Sequence, residues 1–312
     1  MSWVLGRVWM ICGVHGRRGT RAAAAFAAAG AMTSLLAACS AASVSASGGA
    51  SPASHSVVTP RGGSTSSPAG APSASATVPS RRPLAGKVIV LDPGHNGENW
   101  SHPATINRLV NVITEMKPCD TTGTQTDAGY SEHAFTFNVA MRLARVLRAE
   151  GATVILTRHN DHGVGPCITQ RAAIGNRAHA DAAISIHADG GPPGGSGFDV
   201  IEPGLLAGHN DGIIGPSRRL ALAIRGAYHR ITHEPYANYV GNHGLDVRTD
   251  LGGLNLSTVP KVFIECGNMR NAGDAAKLSS AAFRQRIAAA LAAGFTAFLA
   301  PASGANIPGV PG

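Results

Sequence analysis

The sequence predicts a single α/β domain built on a twisted, largely parallel (mixed) sheet with helices on both faces. Three observations predict it. Short apolar runs rich in β-branched residues alternate with stretches of helical period along the chain. No internal repeat interrupts that alternation. The part of the chain carrying these patterns, residues 84–300, is 217 residues long, which suits one domain with an ample core.

The strands read as KVIVL (87–91), ATVILT (152–157), DAAISIHA (181–188), FDVIE (198–202) and KVFIEC (261–266). Each is a short apolar run, the form of strands buried on both faces. Pro93 and Gly94 are expected to stop the first strand, since neither suits a central strand. Residues 131–150 read as a helix: Ser131 as N-cap, an apolar stripe of Phe135, Val139, Leu143, Val146 and Leu147, and Gly151 to close it. Further helices are expected over 170–180, over 217–232 with Pro216 at or near its start, and over 281–299. The segment from Asn96 to Tyr130 is long for a loop in a compact domain, which marks either function or disorder; as a functional loop it is expected to wall one side of a groove, pinned by Cys119.

Outside this domain the composition changes. Residues 1–39 carry Arg17, Arg18 and Arg21, then an Ala-rich apolar stretch, then small residues, the signature of an export signal. Its end, Leu36-Ala37-Ala38-Cys39, resembles a bacterial lipobox, which would make Cys39 the lipidated first residue of the mature chain. Ordinary cleavage nearby, after Ser45-Ala46, is the alternative. Residues 40–83 are rich in Ser, Ala, Gly, Pro and Thr and read as a disordered linker; residues 301–312 read as a flexible tail. The domain is therefore expected to work outside the cytoplasm, lipid-anchored or secreted.

The net charge of +8 does not point to nucleic acid. Seven of the 26 Lys and Arg residues precede Leu84 and all 18 acidic residues follow it, so the domain holds 19 basic and 18 acidic groups. A nucleic-acid binder concentrates basic charge on its folded face. In an exported domain Cys119 and Cys167, both in polar turn-rich loops, are the natural disulfide pair, though three free thiols remain the alternative. Cys266 reads as a buried free thiol.

Candidate chemistry falls where elements begin and end. His95 follows the first strand, His187 and Glu265 end two others, and Glu132 sits in the first turn of its helix, where the helix dipole favours a carboxylate. In parallel neighbours these groups share one rim. Two His and one Glu with an open fourth position form a hydrolytic zinc arrangement, and such an ion lowers the pKa of its water to about 7. A further carboxylate must shuttle the proton, and Glu265, at the end of an apolar strand, suits that task. The separations of 37, 55 and 78 residues between these four carry no local signature. Asp92 and Asp189 flank the two histidines as tautomer-fixing acceptors or strand-end caps.

Together LDPGH, the Glu132 helix, LTRHND followed by Arg171, ADAAISIHAD and PKVFIECGNMRNAGD resemble the zinc-dependent N-acetylmuramoyl-L-alanine amidases of the amidase-3 family. CDTTGTQTDAGYSEHAF and RTDLGGLNLSTVPKVFIECGNMRN are most similar to its single-domain mycobacterial and actinobacterial branch, and the likeness spans about residues 84–299. The resemblance implies hydrolysis of the amide between the lactyl group of N-acetylmuramic acid and L-alanine of the stem peptide, in peptidoglycan or its muropeptide fragments. It implies one zinc ion on His95, Glu132 and His187, with Glu265 as the catalytic glutamate. Arg158 and Arg171 fit its LTR…R pattern, for which a structural ion pair is the better reading. Arg248, Asn255 and His243 are candidates to face substrate. The lipobox and linker are not general to the family. Two rivals stand: another exported zinc peptidase or carboxypeptidase of the wall, and a non-catalytic wall-binding lipoprotein, against which the presence of Glu265 argues.

Overall fold

A computed structural model describes residues 82–299. The export segment with Cys39, the linker up to its last two residues and the tail 301–312 lie outside the described residues. The first described stretch already belongs to the core, because Leu84 is fully buried.

Six strands form one mixed sheet: β1 (Val88–Pro93), β4 (Thr153–Leu156), β5 (Ala182–Asp189), β6 (Asp199–Pro203), β7 (Leu245–Arg248) and β8 (Lys261–Asn268). Their order is β4-β1-β5-β8-β6-β7, and every pairing is parallel except β6 with β8. A separate antiparallel hairpin, β2 (Leu109–Asn111) with β3 (Met116–Pro118), lies within the long 96–130 segment. Two short turns precede it, a 3-10 turn at Asn99–Ser101 and α1 (Pro103–Ile106).

The two faces of the sheet differ in kind. One presents Ile89, Leu91, Ala182, Ile184, Ile186, Val262 and Ile264 to a large apolar core. Three helices cover that face: α2 (Glu132–Ala149), α4 (Asp211–Thr232) and α7 (Ala281–Leu299). On α2 the stripe Phe135, Val139, Leu143 and Leu147 is buried, as its spacing requires. The other face carries Asp92 on β1, Ser185 and His187 on β5, and Lys261, Phe263 and Glu265 on β8, alternating with the apolar set by the two-residue period of a strand. Its apolar packing is small, Val90, Ala180, Ala183 and Val259. It is partly covered by α3 (Ile168–Arg177) and α5 (Gly252–Asn255), with α6 (Ala272–Leu278) beyond the end of β8.

Several expected boundaries move. β1 continues through Asp92 to Pro93, which pairs with Ile186; Pro93 ends the strand, so its missing N–H is no loss. β8 runs three residues past Glu265, to Asn268, because its last turn pairs with Asp189 across a bulge. Glu265 therefore stands within its strand rather than at its tip. The helix expected from 217 begins at Asp211 and contains Pro216 in its second turn. Ser131 occupies the N-cap of α2, but its side chain caps nothing; Gln125 pairs with Ser131 and the Glu132 amide donates to Thr124 O at 2.9 Å. Strand β7 and the hairpin escaped the pattern reading because they are short and carry no continuous apolar run.

Cys119 and Cys167 form a disulfide with Cα atoms 4.6 Å apart across 48 residues, and Cys266 is a buried free thiol. The bridge fastens the end of the hairpin segment to the start of α3, where the Ile168 amide also donates to Cys119 O at 2.8 Å. Closing a loop of that length is worth about 4 kcal/mol in the chain-entropy model. Cys119→Ser is expected to lower unfolding free energy by about that amount in denaturant titration, whereas Cys266→Ser, which closes no loop, should not show a reductant-dependent component.

Candidate metal centre and active site

The site is built on β1, β5, β8 and the N-terminus of α2. After Pro93 the chain turns sharply at Gly94, and His95 takes a left-handed backbone with φ of 60° that folds its side chain back over the sheet. Glycine is required at 94: a Cβ there would lie 2.0 Å from Cε1 of His187. Gly123, at φ of 74°, is a second obligatory close approach, since its Cβ would meet Glu132 Oε2 and His95 Cδ2 at 2.8 Å.

Glu132 stands between the two imidazoles. Its Oε2 lies 3.1 Å from His95 Nε2 and its Oε1 2.9 Å from His187 Nδ1. The amides of Thr124 and Ala188 donate to the same carboxylate, at 2.9 and 3.2 Å. One ligand atom from each of His95, Glu132 and His187 can be chosen so that all lie within 4.8 Å of one another, the one such trio among the described residues. His95 Nδ1 faces the Thr121 carbonyl at 3.0 Å and Asp120 Oδ1 at 3.7 Å. If that nitrogen carries the ring proton, Nε2 points a lone pair at a carboxylate, an arrangement that demands a cation or a second proton. The donor set, two imidazoles and one carboxylate, therefore fits a zinc ion. Phe263 stacks on His187 with ring centroids 4.1 Å apart and fixes its plane.

The charges are strongly coupled. Burial opposes a positive His95, but Glu132 and Asp120 outweigh it and push the imidazole up to about 10. Burial pushes His187 down despite Glu132. Burial works against the Glu132 charge, yet the two imidazoles hold its carboxyl well below the usual range. Glu265 is the opposite case. Burial, then the charges of Glu132, Asp199 and Asp189, push it well above an ordinary carboxyl, with Arg248 opposing. It sits beside His187 in the sheet register, and its Oε2 is buried without a hydrogen bond among the described residues.

Under the site lies a buried ionic network. Asp92 accepts from Arg171 Nη1 at 3.0 Å, Lys261 Nζ at 3.1 Å, Thr157 Oγ1 at 2.7 Å and Ser185 Oγ at 2.6 Å. Arg171 also donates to the carbonyls of Pro93 and His95 and to Asp120 Oδ2. Asp92 is thus neither an imidazole acceptor nor a plain cap but the anchor of two buried cations. Arg158 pairs with Asp161 at 2.9 Å and donates to the carbonyls of Pro93, Gly94 and His133. Both arginines are structural, as expected.

A cavity of about 440 Å³ opens over this face, lined among others by His95, Glu132, His187, Glu265, Lys117 and Asp250. The hairpin segment supplies one wall through Lys117, Pro118 and residues 120–124, and residues 250–254 another. Of the three side chains expected to face substrate, none lines the cavity. Asn255 is buried and its amide donates to Val112 O and Thr249 O, fastening the hairpin to the opposite wall. His243 is exposed in the turn before β7, with its carbonyl accepting from Arg225. Arg248 reaches the cavity only through Asp250, which it holds with bonds of 2.8 and 2.6 Å. Asp120, Thr121 and Phe263 were missed by the sequence reading. Only Phe263 carried a signal, two residues before Glu265 on the same strand face.

Comparison with known proteins gives concordant results. Residues 89–297 match the amidase-3 family, described as N-acetylmuramoyl-L-alanine amidase. An N-acetylmuramoyl-L-alanine amidase of Mycobacterium tuberculosis is 42% identical over 220 residues, 70% of this chain and 88% of that protein. The crystal structure of the N-acetylmuramyl-L-alanine amidase Ami1 of Mycobacterium smegmatis is 41% identical with a TM-score of 0.65, covering 69% of this chain and 98% of that one. The apo form of Ami1 from Mycobacterium abscessus is 42% identical with a TM-score of 0.66, covering 70% and 100%.

Asp92→Asn leaves Lys261 without a carboxylate in the interior and Arg171 with Asp120 alone. It is expected to cost about 3–5 kcal/mol by denaturant unfolding at neutral pH. Burial opposes the Asp92 charge, but Lys261 and Arg171 hold the carboxyl far below its ordinary value of 3.8. Its contribution is therefore present above that value and lost as the pH falls through and below it. The acid-side fall in stability should be shallower in the variant.

Proposed function

From the premise that the chain belongs to the amidase-3 family of N-acetylmuramoyl-L-alanine amidases, we propose that its hydrolysis depends on one zinc ion and on Glu265. The enzyme is a peptidoglycan amidase. It opens the amide between the lactyl group of N-acetylmuramic acid and L-alanine, in the wall or in fragments released from it. The observation that carries the metal reading is the convergence of His95, Glu132 and His187 around one point at the cavity floor.

These three side chains would hold the ion. When bound, zinc supplies Lewis acidity that polarises the scissile carbonyl and makes water nucleophilic at neutral pH. The chain's own groups do the rest. Thr121 O and Asp120 orient His95, Phe263 orients His187, and Glu132 keeps its charge because two backbone amides and two imidazoles face it. Glu265 takes the proton lost by the attacking water and delivers it to the departing alanine nitrogen. Its environment suits both halves of that task, since a carboxyl raised by burial accepts a proton near neutrality and gives it to a forming amine. Lys117 and Asp250, on the cavity wall, are placed to meet the peptide, with Arg248 behind Asp250.

The same reading places the domain outside the cytoplasm, reached by the export segment and tethered through a lipid on Cys39 or set free by simple cleavage. No helix of the described residues is long and apolar enough to cross a membrane. Mass spectrometry of the mature N-terminus distinguishes a diacylated Cys39 from a cleaved end.

Glu265→Gln is expected to keep stoichiometric zinc and lose about 100-fold to 10,000-fold in the release of alanine amine from purified wall. Undiminished turnover refutes the role. His187→Ala is expected to lose both zinc and activity. Release of a different amine, from a peptide–peptide bond, would favour the peptidase rival.

A further inference from the structure

The cavity holds little free positive charge. Its lining carries the acids Asp92, Asp120, Glu132, Asp189, Asp250 and Glu265. Besides the imidazoles of the metal site, the cations that line it among the described residues are Arg171 and Lys117. Arg171 is committed within the protein: buried, it donates to Asp92, Asp120 and the carbonyls of Pro93, His95 and Pro166. Lys117 is the cation left to face a ligand. Its side chain is 29% exposed, and its Nζ lies 2.9 Å from Asp250 Oδ2 on the opposite wall and 3.7 Å from Glu115 Oε1.

The pairing of Lys117 with Asp250 is one that a ligand can exchange. Arg248 donates to both oxygens of Asp250, from Nε to Oδ1 at 2.8 Å and from Nη2 to Oδ2 at 2.6 Å. Arg248, ahead of Lys117, holds the Asp250 carboxyl well below the usual range. If Lys117 turns away, each Asp250 oxygen therefore keeps a charged donor. A partly exposed pair contributes little to stability, so exchanging its anion costs little. The hairpin wall also keeps its other ties, the Cys119–Cys167 bridge, Arg171 on Asp120 and Asn255 on Val112 O. An incoming carboxylate replaces Asp250 at Lys117 charge for charge. An amide at the same place takes an anion from Lys117 and returns none. The acids elsewhere in the lining repel a carboxylate, which confines it to this one position.

We propose that Lys117 binds a free carboxylate of the stem peptide beyond L-alanine, in exchange for Asp250, and so makes the enzyme discriminate acid stems from amidated ones. The inference rests on the peptidoglycan amidase reading and names the form of substrate that this site favours. Stem peptides carry carboxyl groups beyond the alanine, and these occur free or amidated. The hydrolysed bond itself is the same in both forms, so Lys117 acts on binding and leaves the chemistry at the metal centre to other groups.

The test gives the zinc-loaded protein soluble muropeptides of one sequence in three forms: all stem carboxyls free, the second-residue carboxyl amidated, or the third-residue carboxyl amidated. In the parent, one of the two amidations should raise KM about fivefold to tenfold. In Lys117→Met that penalty should shrink to less than about twofold, because methionine keeps the length of the side chain and drops its charge. A loss shared equally by all three forms would mark Lys117 as a tie between cavity walls and nothing more, and would overturn the proposal. So would a parent indifferent to both amidations, or a penalty that persists in full in Lys117→Met. Calorimetric binding of the released peptides, with carboxyls free or amidated, repeats the comparison without turnover. If the parent cleaved none of the muropeptides, the amidase reading would fail while the ratio of the calorimetric affinities still judged Lys117.

Discussion

The ion pair of Asp92 and Arg171 is the interaction on which the rest of the site depends. Both groups are buried, and each ties elements distant in sequence. Asp92 gathers donors from α3, β5, β8 and the end of β4, while Arg171 holds the carbonyls of Pro93 and His95 and the carboxylate of Asp120. A buried pair of this kind is weak evidence for stability, because desolvating two charges offsets most of their attraction. Its value here is geometric. Arg171 grips the turn that presents His95 on both sides of Gly94, and also grips the acid next to the carbonyl facing His95 Nδ1. The imidazole's position and its tautomer are set through one guanidinium.

How much of this was legible follows from the kind of signal each part leaves. The five strands with apolar runs and the stripe on α2 were readable because burial on a regular element imposes a period. His95, Glu132, His187 and Glu265 were readable because each interrupts or borders such a run. What stayed hidden depends on contacts between segments with no pattern of their own. Thr121 contributes only a backbone carbonyl, which any residue could supply. Asn255 and His243 look like substrate groups in a Gly-rich stretch, yet one is a buried tie between cavity walls and the other faces solvent. Asp199 read as one letter in an apolar strand, and only the antiparallel pairing of β6 with β8 places it opposite Glu265.

The division of the sheet into two faces explains how such a charged site survives in a stable domain. Side chains alternate, so β1, β5 and β8 each give one face to the apolar core under α2, α4 and α7 and the other to chemistry. Stability and function are thereby carried by interleaved residues of the same strands. Strands hold His187 and Glu265, and the backbone closes on the two imidazoles and Glu132 at Gly94 and Gly123, where no side chain would fit.

The same division bears on the long segment before α2. A wall made of two short hairpin strands and isolated turns buries little apolar surface, so it has little of its own to keep it in place. It is fastened instead by discrete bonds: the Cys119–Cys167 bridge, the grip of Arg171 on Asp120, the Asn255 amide on Val112 O, and Lys117 on Asp250 at 2.9 Å. Two of these run to α3 and two to the opposite cavity wall. The segment that orients His95 through Thr121 is therefore pinned from both sides of the cavity. An ordered imidazole at the end of an otherwise loosely packed stretch follows from that pinning, not from the packing of the stretch itself.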